Sequence, residues 1–542
     1  MSFLYQSFKS ESSFGCRKDP PSLNNSLKQQ LLKDHHPNQQ SELMELIPFG
    51  VNAGDPAPRE LVDLLAAPSI INYKSERAPR IDEEVDVLVL GGGGAGMVAA
   101  LSAHGQGASV LLATKLRLGD SNTLMANGIS VALGKKDSKS LHFLDTFIAG
   151  GFAADPTLVR TLVEEGPDAI EWLRMQGVAL EWNKEASVEE NNRLAGHSVA
   201  RGVKSLIGDT GVEIIRTLRR ELNKHGIKTL QFHPIIDCLK DAQGRCIGAV
   251  LLNTDTGSYK YVIAKSVILA TGGLGRLHCG KSITSNHYGA TGDGLVVAYR
   301  AGAKLVQIDS LQYHPTGMIW PERCQGRLIS EHFRLLGAHL VNRDGRRFIN
   351  EKELRDVVSA AILRECSEGR GVQAASGISG VWLDTPELIK RLEVRGLESR
   401  TVASTAERLM RIDLDIKKFP CLVRPTLHFH NGGLYINSQC QTSVPGLFAA
   451  GEVSGGIHGN NRLGGNALLE VVVFGRRAGM NAANYAANAC RSSVNLDHII
   501  KHNKQSFKEK TNSPILFPDY SIDSIGIKQK DTAANSFSIE SS

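Results

Sequence analysis

Three glycines at a fixed spacing carry the first recognisable chemistry in this chain. Gly91, Gly93 and Gly96 lie in the run Gly91-Gly92-Gly93-Gly94-Ala95-Gly96, the G-x-G-x-x-G spacing. The apolar run Val85-Asp86-Val87-Leu88-Val89-Leu90 precedes them and reads as a buried strand. Residues 97–104 continue as a small-residue helix, and 108–113 read as a second strand. Together they form a βαβ unit of the length a dinucleotide needs. Glycines let the backbone turn tightly and approach a pyrophosphate, which then lies on the unpaired N–H groups of the helix N-terminus. The second strand ends in Lys115, where an acidic residue would hold the ribose of NAD. That disfavours NAD and leaves FAD open. Glu331 and Arg334 are three residues apart and share a face if the stretch is helical; alone they read as an ion pair worth ~0.5 kcal/mol. His428 and His430, two apart, would point the same way from an extended segment.

The elements that must position these groups follow an α/β pattern from Ile81 onward. Helical apolar spacing marks 156–176, through Leu158, Leu162, Ile170 and Leu173, and 211–225. A strand over 262–270 again runs into glycines, and 446–452 reads as a buried strand with an acidic end at Glu452. Residues 466–489 read as a long small-residue helix. The segment 316–424 mixes short strands with helices and reads as an inserted domain. The expected organisation is a partly disordered extension over 1–80, α/β segments over 81–315 and 425–495 flanking the insertion, and a loose tail over 496–542. Within 1–80, residues 59–65 form one short amphipathic stretch, which suits a docked helix.

The 542 residues suffice for two or three domains with large cores. The net charge of +6 comes without a dense basic block interleaved with aromatics, which argues against nucleic acid. The nine cysteines include no C-x-x-C pair, so neither an iron–sulfur cluster nor a zinc site is indicated, and the unpatterned set fits a reducing compartment. No apolar stretch reaches membrane-spanning length, and the polar first 40 residues lack a signal-peptide core. A cytoplasmic location is expected.

Several separated motifs occur in a defined order: GGGGAG, SNTLMANG, ATGGLGR, TGDG, QYHPTG, SEHFR, LRD, PTLHFHNGG, AAGE and GNNRLGGNALLE. In these the chain resembles the flavoprotein subunit of fumarate reductase and succinate dehydrogenase, in the superfamily that includes L-aspartate oxidase. The resemblance spans roughly 84–490. It implies an α/β fold: a Rossmann-like FAD-binding domain in two sequence segments with an inserted α+β capping domain. It implies FAD at Gly91, Gly93, Gly96 and Lys115, with further contacts from Ser121, Asn122, Thr123, Gly128, Thr271, Gly272, Asp293, Glu452, Ala467 and Leu468. Asn122 stands where some members carry a histidine tethered to the flavin. An amide cannot form that bond, so noncovalent FAD is expected, which suits fumarate reduction better than succinate oxidation.

Fumarate is a flat dianion, and its reduction needs a hydride at one alkene carbon and a proton at the other. FAD supplies the hydride; the protein supplies orientation and electrostatics. By resemblance, His314 holds one carboxylate, His428 and Arg462 hold the other, and the motif selects His428 rather than His430. Arg355 is the implied proton donor, recharged from Glu331 through Arg334. His332 is assigned no role. Ile129, Leu335, Leu354 and Ala467 depart from the residues usual in the family and bear on turnover and substrate fit. The stretch Gly196-His197-Ser198-Val199-Ala200-Arg201 is faintly similar to L-aspartate oxidase, which keeps that activity as an alternative, beside a flavin-binding protein with decayed catalysis. The implied partners are a small dicarboxylate and an electron-donor protein such as an iron–sulfur subunit, with no nucleic acid and no transmembrane segment.

Overall fold

The computed structural model describes residues 18–71, 80–181 and 193–506. Its largest sheet has seven strands: six run in the order Lys228–Leu230, Val110–Ala113, Glu83–Leu90, Tyr259–Leu269, Cys246–Leu252 and Ile235–Lys240, and the seventh, Leu447–Ala449, lies off this path against Tyr259–Leu269. Tyr259–Leu269 pairs in parallel with Glu83–Leu90 along one edge. Along the other edge it pairs first with Cys246–Leu252, antiparallel, and then with Leu447–Ala449, parallel. Chain from two distant stretches thus completes one sheet. Val87–Leu90, Leu111–Ala113 and Val267–Leu269 are buried, as near-continuous apolar runs in a parallel sheet require.

Helices Gly94–His104 and Asn466–Asn488 pack closely against each other and against this sheet. Their contact is made by small residues. A Cβ at Gly479 would stand 2.3 Å from the carbonyl oxygen of Ala99, so no side chain fits there. Pro156–Met175 and Thr210–Lys224 bury the faces their spacing indicates, including Leu158, Leu162, Ile170 and Leu173 in the first.

A five-stranded sheet joins Leu311–Met318, Cys421–His430, Ser379–Leu383 and Leu340–Val341, with Val372–Gln373 on Ser379–Leu383. Helix Arg355–Ser367 packs on it, and Val357, Val358, Ile362, Val381, Leu383 and Val423 form a second core. Two irregularities interrupt the pairing of Leu311–Met318 with Cys421–His430. Gln312 faces Phe429 and Tyr313 faces Leu427, so His428 is an extra, unpaired residue; a second shift follows His314. Bulges of this kind re-aim side chains.

The N-terminal stretch, expected to be partly disordered, is docked on the body of the protein over much of its described part. Helix Asn25–His35, capped by Asn24, buries Leu31 in the second core, with Leu23 and Leu32 packed beside it. Its Lys28 Nζ lies 2.7 Å from Glu353 Oε2, and Asn38 Nδ2 donates to the carbonyl of Leu311 (2.8 Å). Helix Arg59–Leu65, the amphipathic stretch expected to dock, buries Leu61 and Leu65 in the first core. The polar composition conceals this because few leucines carry the contact. Residues 496–505 are likewise docked: Asp497–Gln505 buries Ile499 and His502. The rest of the expected extension and tail, 1–17, 72–79 and 507–542, lies outside the described residues.

Candidate active site

Four parallel strands end at the same rim, and the segments after them line one cavity of about 840 Å³: Gly91–Ala95, Thr114–Leu116, Ala270–Gly272 and Ala450–Glu452. Ligands of open α/β sheets bind at this end. Gly93 is the N-cap of Gly94–His104 and offers no side-chain cap, so the first N–H groups of that helix face the cavity rim. Gly96 packs directly on the turn: a Cβ there would come 1.8 Å from the Gly91 oxygen. Helix Asn466–Asn488 brings a second N-terminus to the cavity, with Gly465 as its N-cap and Ala467 and Leu468 in the lining.

The polar groups around this rim are tightly tied. Lys115 Nζ donates to Thr291 Oγ1 (2.6 Å) and pairs with Asp293 Oδ2 (2.9 Å). Thr123 Oγ1 accepts from the Gly94 amide (3.3 Å), and Ser121 Oγ donates to the Gly119 carbonyl (3.1 Å). Asn122 is a hub: Nδ2 donates to Asn286 Oδ1 (2.7 Å) and Glu452 Oε2 (3.0 Å), while Oδ1 accepts from the His287 amide (2.7 Å). Glu452 is buried, which raises its carboxyl to about 7 against the pull of Asn122 and the His430 amide. Gly128 and Gly272 both adopt positive φ, and a Cβ on Gly272 would meet nothing within 4 Å. Thr271 Oγ1 is buried without a partner among the described residues.

At the other end the cavity is lined by His314, Glu331, Arg355, His428 and Arg462. The two imidazoles meet edge to face at 5.3 Å. His428 Nδ1 is 2.9 Å from Ser285 Oγ, and the Thr316 amide donates to His314 Nδ1 (3.3 Å). Burial, reinforced for His314 by Arg355 and for His428 by His314 and then Arg355, holds both far below the ordinary histidine range, so both are neutral. His430 lies outside the lining although it follows His428 by two. The bulge aims His428 at the cavity, while His430 Nε2 lies 3.3 Å from the Ile308 carbonyl. His332 is buried outside the cavity lining.

Arg355 is the first residue of its helix and 11% exposed. Its Nε and Nη2 donate to Glu331 Oε1 and Oε2 (3.3 and 3.1 Å), and Nη1 donates to Gln312 Oε1 (3.1 Å). Fully buried Arg334 donates to the same Glu331 Oε1 at 2.8 Å and to the Glu351 carbonyl. The order is therefore Arg334–Glu331–Arg355, with the carboxylate in the middle. The implied sequence from Glu331 through Arg334 to Arg355 does not match it. Burial works to raise the Glu331 carboxyl, but the charges of Arg355 and Arg334 override it and hold the group down to about 2.

Arg462 differs from these two. The one hydrogen bond its guanidinium makes among the described residues runs from Nη1 to the Leu463 carbonyl (3.2 Å), its Nε is buried without a partner there, and Cζ sits 4.3 Å over the Phe429 ring. Burial, and next the charge of Arg355, lowers it to about 9. A buried cation with spare donors is a site for an anion. Gln312 is a working residue that sequence reasoning missed: besides Arg355 it binds Asn461 Oδ1 and the Arg462 carbonyl (2.9 and 2.7 Å). The available signal was its place two residues before His314 on a strand, hence on the same face.

A phosphate cradle continuous with a pocket of cations and neutral imidazoles defines a dinucleotide-dependent oxidoreductase. The family model described as FAD binding domain matches residues 86–468, and the chain belongs to that family. An uncharacterised FAD-dependent oxidoreductase of Methanocaldococcus jannaschii is 39% identical over 75% of this chain and 73% of its own length. The flavoprotein subunit of the 8-methylmenaquinol:fumarate reductase of Wolinella succinogenes is 36% identical over 79% and 70%. A quinol–fumarate reductase solved with menaquinol molecules superposes with a TM-score of 0.68 at 30% identity, covering 78% of this chain and 74% of that one. The residues present fit FAD: two helix N-termini with glycine N-caps suit a pyrophosphate, open space over Gly272 suits close approach, and the Thr271 hydroxyl, without a partner among the described residues, suits a polar one.

Proposed function

We propose that this protein reduces fumarate to succinate, taking up two electrons and two protons, with FAD held noncovalently. FAD, when bound at the glycine cradle, supplies the electron pair as hydride. The observation that carries the reading is the convergence of His314, Arg355, His428 and Arg462 on the cavity that the cradle opens into. We further propose that 81–315 and 425–495 form the FAD-binding domain and 316–424 a cap over it. An electron-donor protein, for which an iron–sulfur subunit is the model, completes the cycle.

In this reading Arg462 and His428 hold one carboxylate and His314 the other. Arg462 supplies the fixed charge through its unpaired Nε–H. The neutral imidazoles add N–H donors without a second and third cation. Arg355 has five N–H donors, three of them spent on Glu331 and Gln312, which leaves one on each of Nη1 and Nη2 in a residue that lines the cavity. That rigid fork sets a proton against the alkene carbon opposite the one that receives hydride. Because Glu331 bonds both arginines, a proton that passes from Arg334 to an Arg355 left neutral by donation crosses this carboxylate, which takes it up from the one and gives it to the other. Noncovalent FAD is supported by Asn122, whose carboxamide is fully engaged and has no nucleophilic nitrogen to bond a flavin.

The test is to release the flavin by acid precipitation, reduce intact protein anaerobically, and add fumarate or L-aspartate with product analysis. The reading requires released FAD, reoxidation by fumarate and formation of succinate. Flavin that stays with the precipitate would overturn noncovalent binding. Reduction of oxidised enzyme by aspartate, with no response to fumarate, would assign the alternative activity instead.

A further inference from the structure

Behind the turn that carries Arg462 lies a buried cluster to which the proposed chemistry assigns no task. Arg201 is 1% exposed and bonds two carboxylates: Asp137 through Nε and Nη2 (3.0 and 2.8 Å) and Asp145 through Nη1 (2.6 Å). The same Nη1 also lies 2.9 Å from His197 Nδ1. A guanidinium has no acceptor, so Nδ1 must present its lone pair and the ring proton must sit on Nε2. Nε2 is 2.9 Å from the Gly464 carbonyl, to which it therefore donates. Ser130 Oγ donates to that carbonyl as well (2.9 Å), and the Ser130 amide donates to the Gly465 carbonyl (3.2 Å).

Gly464 is where this matters. A Cβ on it would lie 3.2 Å from Glu331 Oε2 and 3.4 Å from Arg355 Nη2, so its backbone rests on that pair. It stands two residues after Arg462 and one before the Gly465 N-cap. Asn466 is fixed from the same side: its Nδ2 donates to Thr146 Oγ1 (3.0 Å), leaving Oδ1 to accept from His142 Nε2 (2.9 Å). Ser198, next to His197, binds Asp145 through both its amide and its hydroxyl.

We infer that His197, its tautomer set by Arg201, is a positioning residue that anchors the 462–465 turn and so aims Arg462 at the substrate anion. The inference rests on the proposed dicarboxylate reading for its consequence but not for its geometry. His197→Leu removes the donor, whereas His197→Gln restores an N–H near the place of Nε2. With FAD content and melting temperature kept near wild type, His197→Leu raises the KM for fumarate about tenfold and lowers kcat less than threefold, because Gln312 and Glu331 still hold Arg355. His197→Gln stays within about threefold of wild type in both. Ser130→Ala, which withdraws the other donor, moves KM in the same direction by a smaller factor and stands in if the leucine variant does not fold. Hydrogen exchange of a peptide spanning 459–470 reads the anchor without any substrate: exchange is faster in His197→Leu and Ser130→Ala and unchanged in His197→Gln. Folded, flavin-loaded His197→Leu or Ser130→Ala with wild-type KM and wild-type exchange overturns the inference. Faster exchange in a protein whose wild type neither binds nor reduces fumarate retains the anchor and overturns the dicarboxylate reading instead.

Discussion

Two arginines in one pocket have opposite surroundings, and their substitutions should separate binding from chemistry. Among the described residues Arg462 has no carboxylate hydrogen-bond partner, so Arg462→Ala chiefly loses the ligand. A charged hydrogen bond is worth about 1.5–3 kcal/mol, which raises the KM for fumarate on the order of ten- to hundredfold; an unchanged KM in flavin-loaded protein would contradict this. Arg355 is held ready by Glu331 and Gln312, so Arg355→Gln should lower kcat on the order of 10²- to 10⁴-fold, the usual worth of a positioned proton donor. Steady-state turnover with a reduced dye checks it, and wild-type kcat would remove Arg355 from the role. Glu331→Gln withdraws the charge shared by both arginines. Stripping one partner from a buried pair costs about 3–5 kcal/mol, so a lowered melting temperature should accompany lost activity.

At the scale of elements, the sequence was most legible where one local pattern decides. The buried run before Gly91 and the small-residue character of 97–104 announce strand, turn and helix, and all three appear. The spacing of Glu331 and Arg334 likewise foretells their 2.8 Å contact. What it does not contain is Arg355, which comes from another element 24 residues away, so the middle position of Glu331 was not legible. The bulge at His428 was hidden because register depends on the partner strand, and helix Asn25–His35 because its packing rests on few leucines. That helix gives a direct test. Leu31→Ala should cost about 2–5 kcal/mol, as for other buried leucines, whereas a free extension would leave the melting temperature where it was.

For the whole molecule, buried neutral histidines set the response to acid. Burial puts His36, His197, His430 and His502 at about 4, below the unfolded value of about 6.5. Between these values the unfolded chain binds protons that the native one refuses, so stability falls as pH drops through 6.5 toward 4, by up to about 1.4 kcal/mol per pH unit for each histidine. Glu452, raised to about 7, acts in the opposite direction above its unfolded value. The four histidines outweigh it, and the melting temperature should decline from pH 6.5 to 5; a flat profile would contradict their neutrality. The Lys28–Glu353 contact spans 325 positions of chain. On a ribosome adding roughly 5–20 residues per second, residue 28 emerges tens of seconds before its partner is synthesised. Helix Asn25–His35 must therefore wait undocked until its partners near residue 353 have been made, and its docking follows the synthesis of the second core.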